Sequence, residues 1–397
     1  MKALAWLAAI VVFLWIVLFL AAGSLTRRSA AREWPENLGR IEGVPKRYPD
    51  KETSASATEL VRLGASLGVN LATRDKGDPS PFNNGPYEAV NTKLPPYLRA
   101  QLERSDDVIE EPPPEVATFL TTNDAAISAV RDHLIRSQTM TWKLRMGDGV
   151  GLLLPNLLGH MNLYRILVTR ALESARRGDP SGWDDLHASW VLSRNLLERP
   201  DLISNLIAIA GARMTSAAAA KMPGSVPPWF AELRDFDYRH AMAASYQAET
   251  WLLLRTARQP GLKSLAYFLT MPYQRLCAAD YIEHMRRNTA LMMAMKTCAA
   301  SATSSKTMPA SMLPARWNTL GRIAMPNILG SWQRVTRFQV ELERTDRVLR
   351  IRNGQTPAEA SRCSDGKWVL GTSPVLRFSK EIAVPDEGTK YPLEYWK

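Results

Sequence analysis

The residues with the means for chemistry are few, and all fall in stretches of helical pattern. His160 lies one turn beyond a helix start, and Asp184 with His187 sits near the start of another, Asp185 between them. A carboxylate can orient an imidazole as a general base, so His160, Asp184 and His187 are the candidate catalytic group. The competing account is electrostatic: acidic residues favour the first turn of a helix whatever their chemistry. Asp237 with His240 and Asp280 with His284 are spaced i,i+3 and i,i+4, which puts each pair on one helix face. Facing helices carrying such pairs hold metal ions in carboxylate-bridged bundles. Glu249 or Glu283 would have to complete that set, and exposed pairs without a ligand are the commoner outcome, so no metal is expected.

The motifs of metal, thiol and phosphate chemistry are missing. Cys277, Cys298 and Cys363 lack a flanking catalytic signature, and the chain has no H-E-x-x-H pair and no glycine-rich phosphate loop. No cofactor is expected. Cys277 and Cys298, read on one helix, lie about 30 Å apart at 1.5 Å per residue, beyond disulfide reach. Cys363 is the residue able to bridge to either.

The elements that must position these residues read as all-α. The sequence predicts a short helix over 57–67, a loop from Asp75 to Pro96 by its proline and Asn-Gly turn chemistry, and helices almost continuously from Asn123 onward. One starts at Pro155 and ends at Gly178. Asp179-Pro180 opens the next, through Trp183 and Trp190, and Pro200 separates a third. Short connections make such neighbours antiparallel. The pair joined by Arg177-Gly178-Asp179 resembles the helix-turn-helix unit of tetratricopeptide-type repeats, without the period of about 34 residues that an array repeats. Further helices are predicted over 237–257, from Pro272 to about Ala300 and over 326–352. The arginines of the last alternate with acids, as on a solvated face. Pro155-Asn156-Leu157-Leu158-Gly159 and Pro326-Asn327-Ile328-Leu329-Gly330 each open a predicted helix, and two independent helix starts are favoured over an ancient duplication. Met285, Met292, Met293 and Met295 read as core filling. Lys367 to Leu370 and Val375 to Phe378 predict a small β-hairpin.

The resulting fold class is an N-terminal transmembrane helix, then an antiparallel helical-hairpin bundle or short α-solenoid, with a small C-terminal β-hairpin. Its segments are 1–23, the anchor; 24–121, a polar tether and loop-rich stretch; 122–355, the helical domain; and 356–397, the tail. The anchor runs from Ala3 to Ala22 without charge or proline, long enough for a hydrocarbon core of ~30 Å, and Trp6, Phe13, Trp15 and Phe19 supply its bulk. A cleaved export signal has a shorter apolar region, so an uncleaved single span is expected.

Charge gives less than its size suggests. The formal net charge is +11, but basic residues are interspersed with acids and no nucleic-acid-binding module accompanies them, so nucleic acid is an unlikely partner. The basic stretch after the anchor, including Arg27, Arg28 and Arg32, suits anionic lipid headgroups. Orientation pulls two ways. Arginines following the span favour a cytoplasmic body, whereas an N-terminal apolar segment behind a short basic tail is the form of an export signal. The expectation is a periplasmic body. The expected function is a non-catalytic scaffold or interaction module of a bacterial envelope, with membrane and protein partners. The alternatives are an extracytoplasmic hydrolase or metal-dependent enzyme with an Asp/His/Glu site between helices, and an accessory in assembly or secretion.

Overall fold

The computed structural model describes residues 2–73, 85–137, 139–258, 265–295, 310–364, 366–371, 375–380, 382 and 392–396. The chain is mostly helical, with two small antiparallel sheets among those residues. The predicted loop residues 75–84, helix residues 296–300 and hairpin turn 372–374 lie outside them.

Helix α1 (Lys2–Ala30) is unbroken because no proline or charge interrupts its apolar run; at a mean hydropathy of 2.9 it is long and apolar enough to cross a membrane. Helix α9 (Leu202–Ala219) passes the same length and apolarity test at 1.3, but 72% of it is buried, which makes it the central core helix.

The residues after α1 are docked, where composition predicts a polar tether. Trp34, Leu38, Ile41 and Val44 recur at spacings of three and four among the charges, and all four are buried. Strands β1 (Glu33–Trp34) and β2 (Gly39–Arg40) form a minimal hairpin, followed by the one-turn α2 (Val44–Arg47). Gln247 donates to the carbonyls of Leu38 and Gly39 at 3.2 and 3.1 Å, and its own side-chain oxygen accepts from Arg47 at 3.0 Å. Lys51 exchanges two 2.9 Å backbone hydrogen bonds with Leu144.

Helices α3 (Ala55–Ser66) and α6 (Asp124–Ser137) pack together, with α4 (Leu94–Leu102) and α5 (Pro114–Thr122) nearby. Helix α4 begins where turn chemistry predicts loop, because Pro95 and Pro96 occupy its first turn, where no amide partner is needed. The core is the succession α7 (Leu157–Arg176), α8 (Gly182–Leu197) and α9. Gly178, at φ +73°, supplies the left-handed residue of the α7–α8 turn. Gly211 brings α9 against the Tyr164 ring, where a Cβ would stand 2.5 Å from it.

The remaining helices are α10 (Trp229–Asp235), α11 (Tyr238–Arg258), α12 (Leu265–Ala294), α13 (Thr319–Ala324) and α14 (Ile328–Arg352). Helices α7, α13 and α14 share one start. The side chains of Asn156, Asn318 and Asn327 accept from the amides of Gly159, Gly321 and Gly330 at 3.1, 2.7 and 2.9 Å. The Asn-x-x-Gly cap accounts for the matched pentapeptides, and it places Pro155 before α7 rather than in its first turn.

Helix α12 does not begin at Pro272; the proline sits inside it. It removes the amide that would bond to the Phe268 carbonyl, and the preceding turn persists because it packs on α1. Nor is α14 solvated along its charged side: Arg337, Glu341, Glu343, Arg344 and Arg347 are all buried. The covering element is the C-terminal sheet, β3 (Trp368–Leu370), β4 (Val375–Phe378) and β5 (Glu394–Trp396), in that order. The β3–β4 hairpin pairs Trp368 with Phe378 and Leu370 with Leu376.

Candidate functional site

The catalytic candidates are held apart by their helices. His160 is fully buried on α7: its Nδ1 bonds to the Asn156 carbonyl at 2.8 Å, and its ring stands edge-on to Trp142 at 5.0 Å. Burial pushes its pKa down to about 4, so the ring is neutral. Its Nε2 is buried without a hydrogen-bond partner. His187, on α8, stacks on Trp229 at 5.1 Å, with its pKa lowered by burial. Asp184 is exposed, and it is Asp185 that turns inward. Burial raises the Asp185 pKa against the pull of Arg170, whose Nε donates to it at 2.8 Å.

Arg170 also donates to Ser128 at 2.9 Å and pairs with Asp124 at 3.3 Å. This group floors a polar cleft of about 620 Å³ between α5, α6, α7 and the α7–α8 turn. At its rim Arg131 pairs with Asp132 at 2.8 Å and Arg177 with Glu173 at 3.6 Å. The cleft thus has charges of both signs engaged with one another. Neither His160 nor His187 lines it.

The metal candidates serve as local supports. Asp237 caps α11, accepting from the His240 amide at 2.9 Å, and both side chains are exposed. Asp280 meets His284 at 3.2 Å, while its other oxygen accepts from the Ala315 amide at 3.1 Å and from Asn318 at 2.8 Å, fixing the turn before α13. Glu249 caps α9 through the Leu202 amide at 2.9 Å. Glu283 is taken up by arginines. Among the described residues no three His, Cys, Asp or Glu side chains converge as a metal site.

The most extensive element pairing is between α1 and α12. Trp15 donates to the Leu269 carbonyl at 3.2 Å and stacks on Phe268 at 4.3 Å. Arg275 lies over the Phe19 ring at 3.8 Å, and the Thr26 hydroxyl donates to the Arg275 carbonyl at 2.8 Å. Arg32 reaches Glu283 at 2.9 Å. Rising numbers on α1 meet rising numbers on α12, so the helices run parallel. Of the four bulky anchor residues, Trp6 and Phe13 are exposed while Trp15 and Phe19 are partly covered by α12.

Beside this pair lies a surface that the sequence reading does not single out. Phe268, Leu269, Trp317, Leu320 and Ile323 are exposed, Ile323 to 84%. Tyr273 ties α13 to α12 by bonds to the Trp317 carbonyl and the Thr319 hydroxyl, each 2.9 Å. The signal was available, since Trp317, Leu320 and Ile323 recur every three residues.

Cys277 is buried and free, whereas Cys363 is disulfide-bonded. The remaining cysteine, Cys298, lies outside the described residues.

No family model, curated protein or solved structure matches the chain.

Proposed function

We propose that this chain is a single-pass, membrane-anchored helical protein of a bacterial envelope, with its body on the extracytoplasmic side, acting as a non-catalytic scaffold or interaction module. The observation that carries the reading is how the rest of the molecule treats α1. Trp6 and Phe13 stay exposed, as lipid-facing side chains would, while Trp15, Phe19 and Thr26 are received by α12 and Ala30 by the core. A cleaved export signal has no need of a matched seat on the mature body, so this packing supports retention. The disulfide at Cys363 supports an oxidising compartment. The structural bonds that engage Asp185, Asp237 and Asp280 support a role in binding over one in turnover.

The test is made in cells expressing the full chain. The reading expects the protein to resist alkaline extraction from membranes, to keep its N-terminal residues by mass, to be degraded by protease added outside the cytoplasmic membrane, and to crosslink to envelope proteins. A mature N-terminus beyond residue 22, or a body protected until the cytoplasmic membrane is breached, overturns the anchor or the orientation respectively.

A further inference from the structure

The apolar surface made by the first turns of α12 and by α13 is continuous with the membrane-facing part of α1. We infer that it is a second membrane contact, a shallow platform that rests in the headgroup and upper acyl region of the same leaflet from which α1 emerges. The inference rests on the anchored reading of α1 given above.

The argument is one of depth. The apolar run of α1 ends at Ala22, and Trp15 lies seven residues earlier, about 10 Å along the helix axis. Phe268 stacks on Trp15, and the level of this contact is fixed further by the bond from Trp15 to the Leu269 carbonyl. Any bilayer that covers α1 as far as Ala22 therefore also meets Phe268 and Leu269. Helix α13 sits slightly higher. Tyr273 holds it, two residues before Arg275, and Arg275 lies over Phe19, so α13 is level with the end of the apolar run. A short helix at that height lies in the interface, and it turns Leu320 and Ile323 outward together with Trp317, a residue type that favours the headgroup level.

Charge agrees with this placement. Arg27 and Arg28, just past the apolar run of α1, and Arg316 and Arg322, adjacent in the chain to Trp317 and Ile323, are all exposed, basic residues suited to anionic lipid. The alternative occupant, a second protein surface, would have to share the same depth with the lipid that already surrounds α1.

The test uses the full chain in vesicles of phosphatidylcholine and phosphatidylglycerol, with Cys277→Ala removing the free thiol and the disulfide left oxidised. A nitroxide is placed singly at Leu320→Cys, Ile323→Cys, Val12→Cys in α1, or Val108→Cys beside the Asp107–Arg352 ion pair at the far end of α14. Collision with oxygen, which partitions into lipid, is compared with collision with a water-soluble nickel chelate. The inference expects the oxygen-to-nickel ratio at positions 320 and 323 to exceed that at 108 several-fold and to lie below that at 12. If 12 is oxygen-dominated while 320 and 323 match 108, the platform fails and the anchor stands. If 12 itself is nickel-dominated, the anchored reading fails and the platform with it. Labels at 320 and 323 shielded from both reagents would mean that protein covers the surface, which also overturns the inference.

Discussion

The Arg32 guanidinium lies 2.9 Å from the Glu283 carboxylate and joins the chain just past α1 to the middle of α12. Arg286 and Arg287 reach the same carboxylate at 2.9 and 2.7 Å. Burial alone would raise the Glu283 pKa, but the hydrogen bonds of Arg286 and Arg287 and the charges of Arg286 and Arg32 hold it down, to about 2. Because the folded value lies below the ordinary 4.5, the stabilisation is complete above that pH and is lost as pH falls towards 2. Arg32 and Arg287 are more than half exposed, which limits the effect: Glu283→Gln is expected to cost about 1 kcal/mol near neutral pH and almost nothing near pH 2. Denaturant unfolding of the detergent-solubilised chain measures both, and a cost that persists in acid would remove the arginine cluster as its source.

His160 titrates with the opposite consequence for its charged form. Burial holds its folded pKa at about 4 against the ordinary 6.5, so the unfolded chain binds a proton that the folded chain refuses between those values. Stability is unaffected above 6.5 and falls as pH drops through the window, by about 3 kcal/mol in full. His160→Phe keeps a ring beside Trp142 and is expected to abolish that slope. Unfolding curves for both proteins across the window provide the check, and identical slopes would assign the acid sensitivity elsewhere.

The three Asn-x-x-Gly caps differ in what their glycines face. A Cβ on Gly159 would run into the backbone carbonyl of Asn70, whereas one on Gly330 would meet the end of the Asn327 side chain. Gly159→Ala is therefore expected to lose about 2–3 kcal/mol by overpacking. Asn327→Ala should lose about 1 kcal/mol as a missing cap. Thermal unfolding distinguishes the two, and a Gly159→Ala protein as stable as the parent would mean that Asn70 can give way.

Glu343 is where α14 grips the tail. One of its oxygens accepts from Trp368 Nε1 at 2.9 Å and from the Ser361 hydroxyl at 2.7 Å, and the other accepts from the Arg362 amide at 2.7 Å. Glu343→Ala leaves these donors and the Arg347 cation without it, at a cost of about 3 kcal/mol. Hydrogen exchange should rise over 361–363 and at Trp368 while α7 to α9 stay protected. Uniform loss of protection would show that the tail and the bundle unfold as one unit.

The hairpin bundle is legible in the sequence because its signals are local. Gly178 with Asp179 marks the α7–α8 turn, Trp183 and Trp190 mark the buried face of α8, and Trp368–Leu370 and Val375–Phe378 pair as strands. What the sequence conceals is decided by partners distant in the chain. Pro272 reads as a helix start because the turn before it depends on Trp15, more than 250 residues away. Arg337, Arg344 and Arg347 read as solvated because nothing local announces that Ile382, Glu394 and Ala358 offer them carbonyls. Among the candidate site residues, Asp280 and His284, put on one helix face by their i,i+4 spacing, lie 3.2 Å apart, but the turn that occupies the other carboxylate oxygen comes from 35 residues downstream.

The docking of residues 31–54 onto Gln247 and Leu144 has a mechanical meaning. A free chain of that length could stretch to about 80 Å and let its cargo search a hemisphere of solution. Drawn in as it is, the segment leaves no slack, and a tilt of α1 becomes a tilt of the whole body. If the chain is anchored and acts by binding, as proposed above, any partner must come within about one body diameter, on the order of 50 Å, of the headgroups. Encounters are then confined to a thin sheet, so the lateral crowding of the membrane, more than concentration in the surrounding fluid, sets how often they occur.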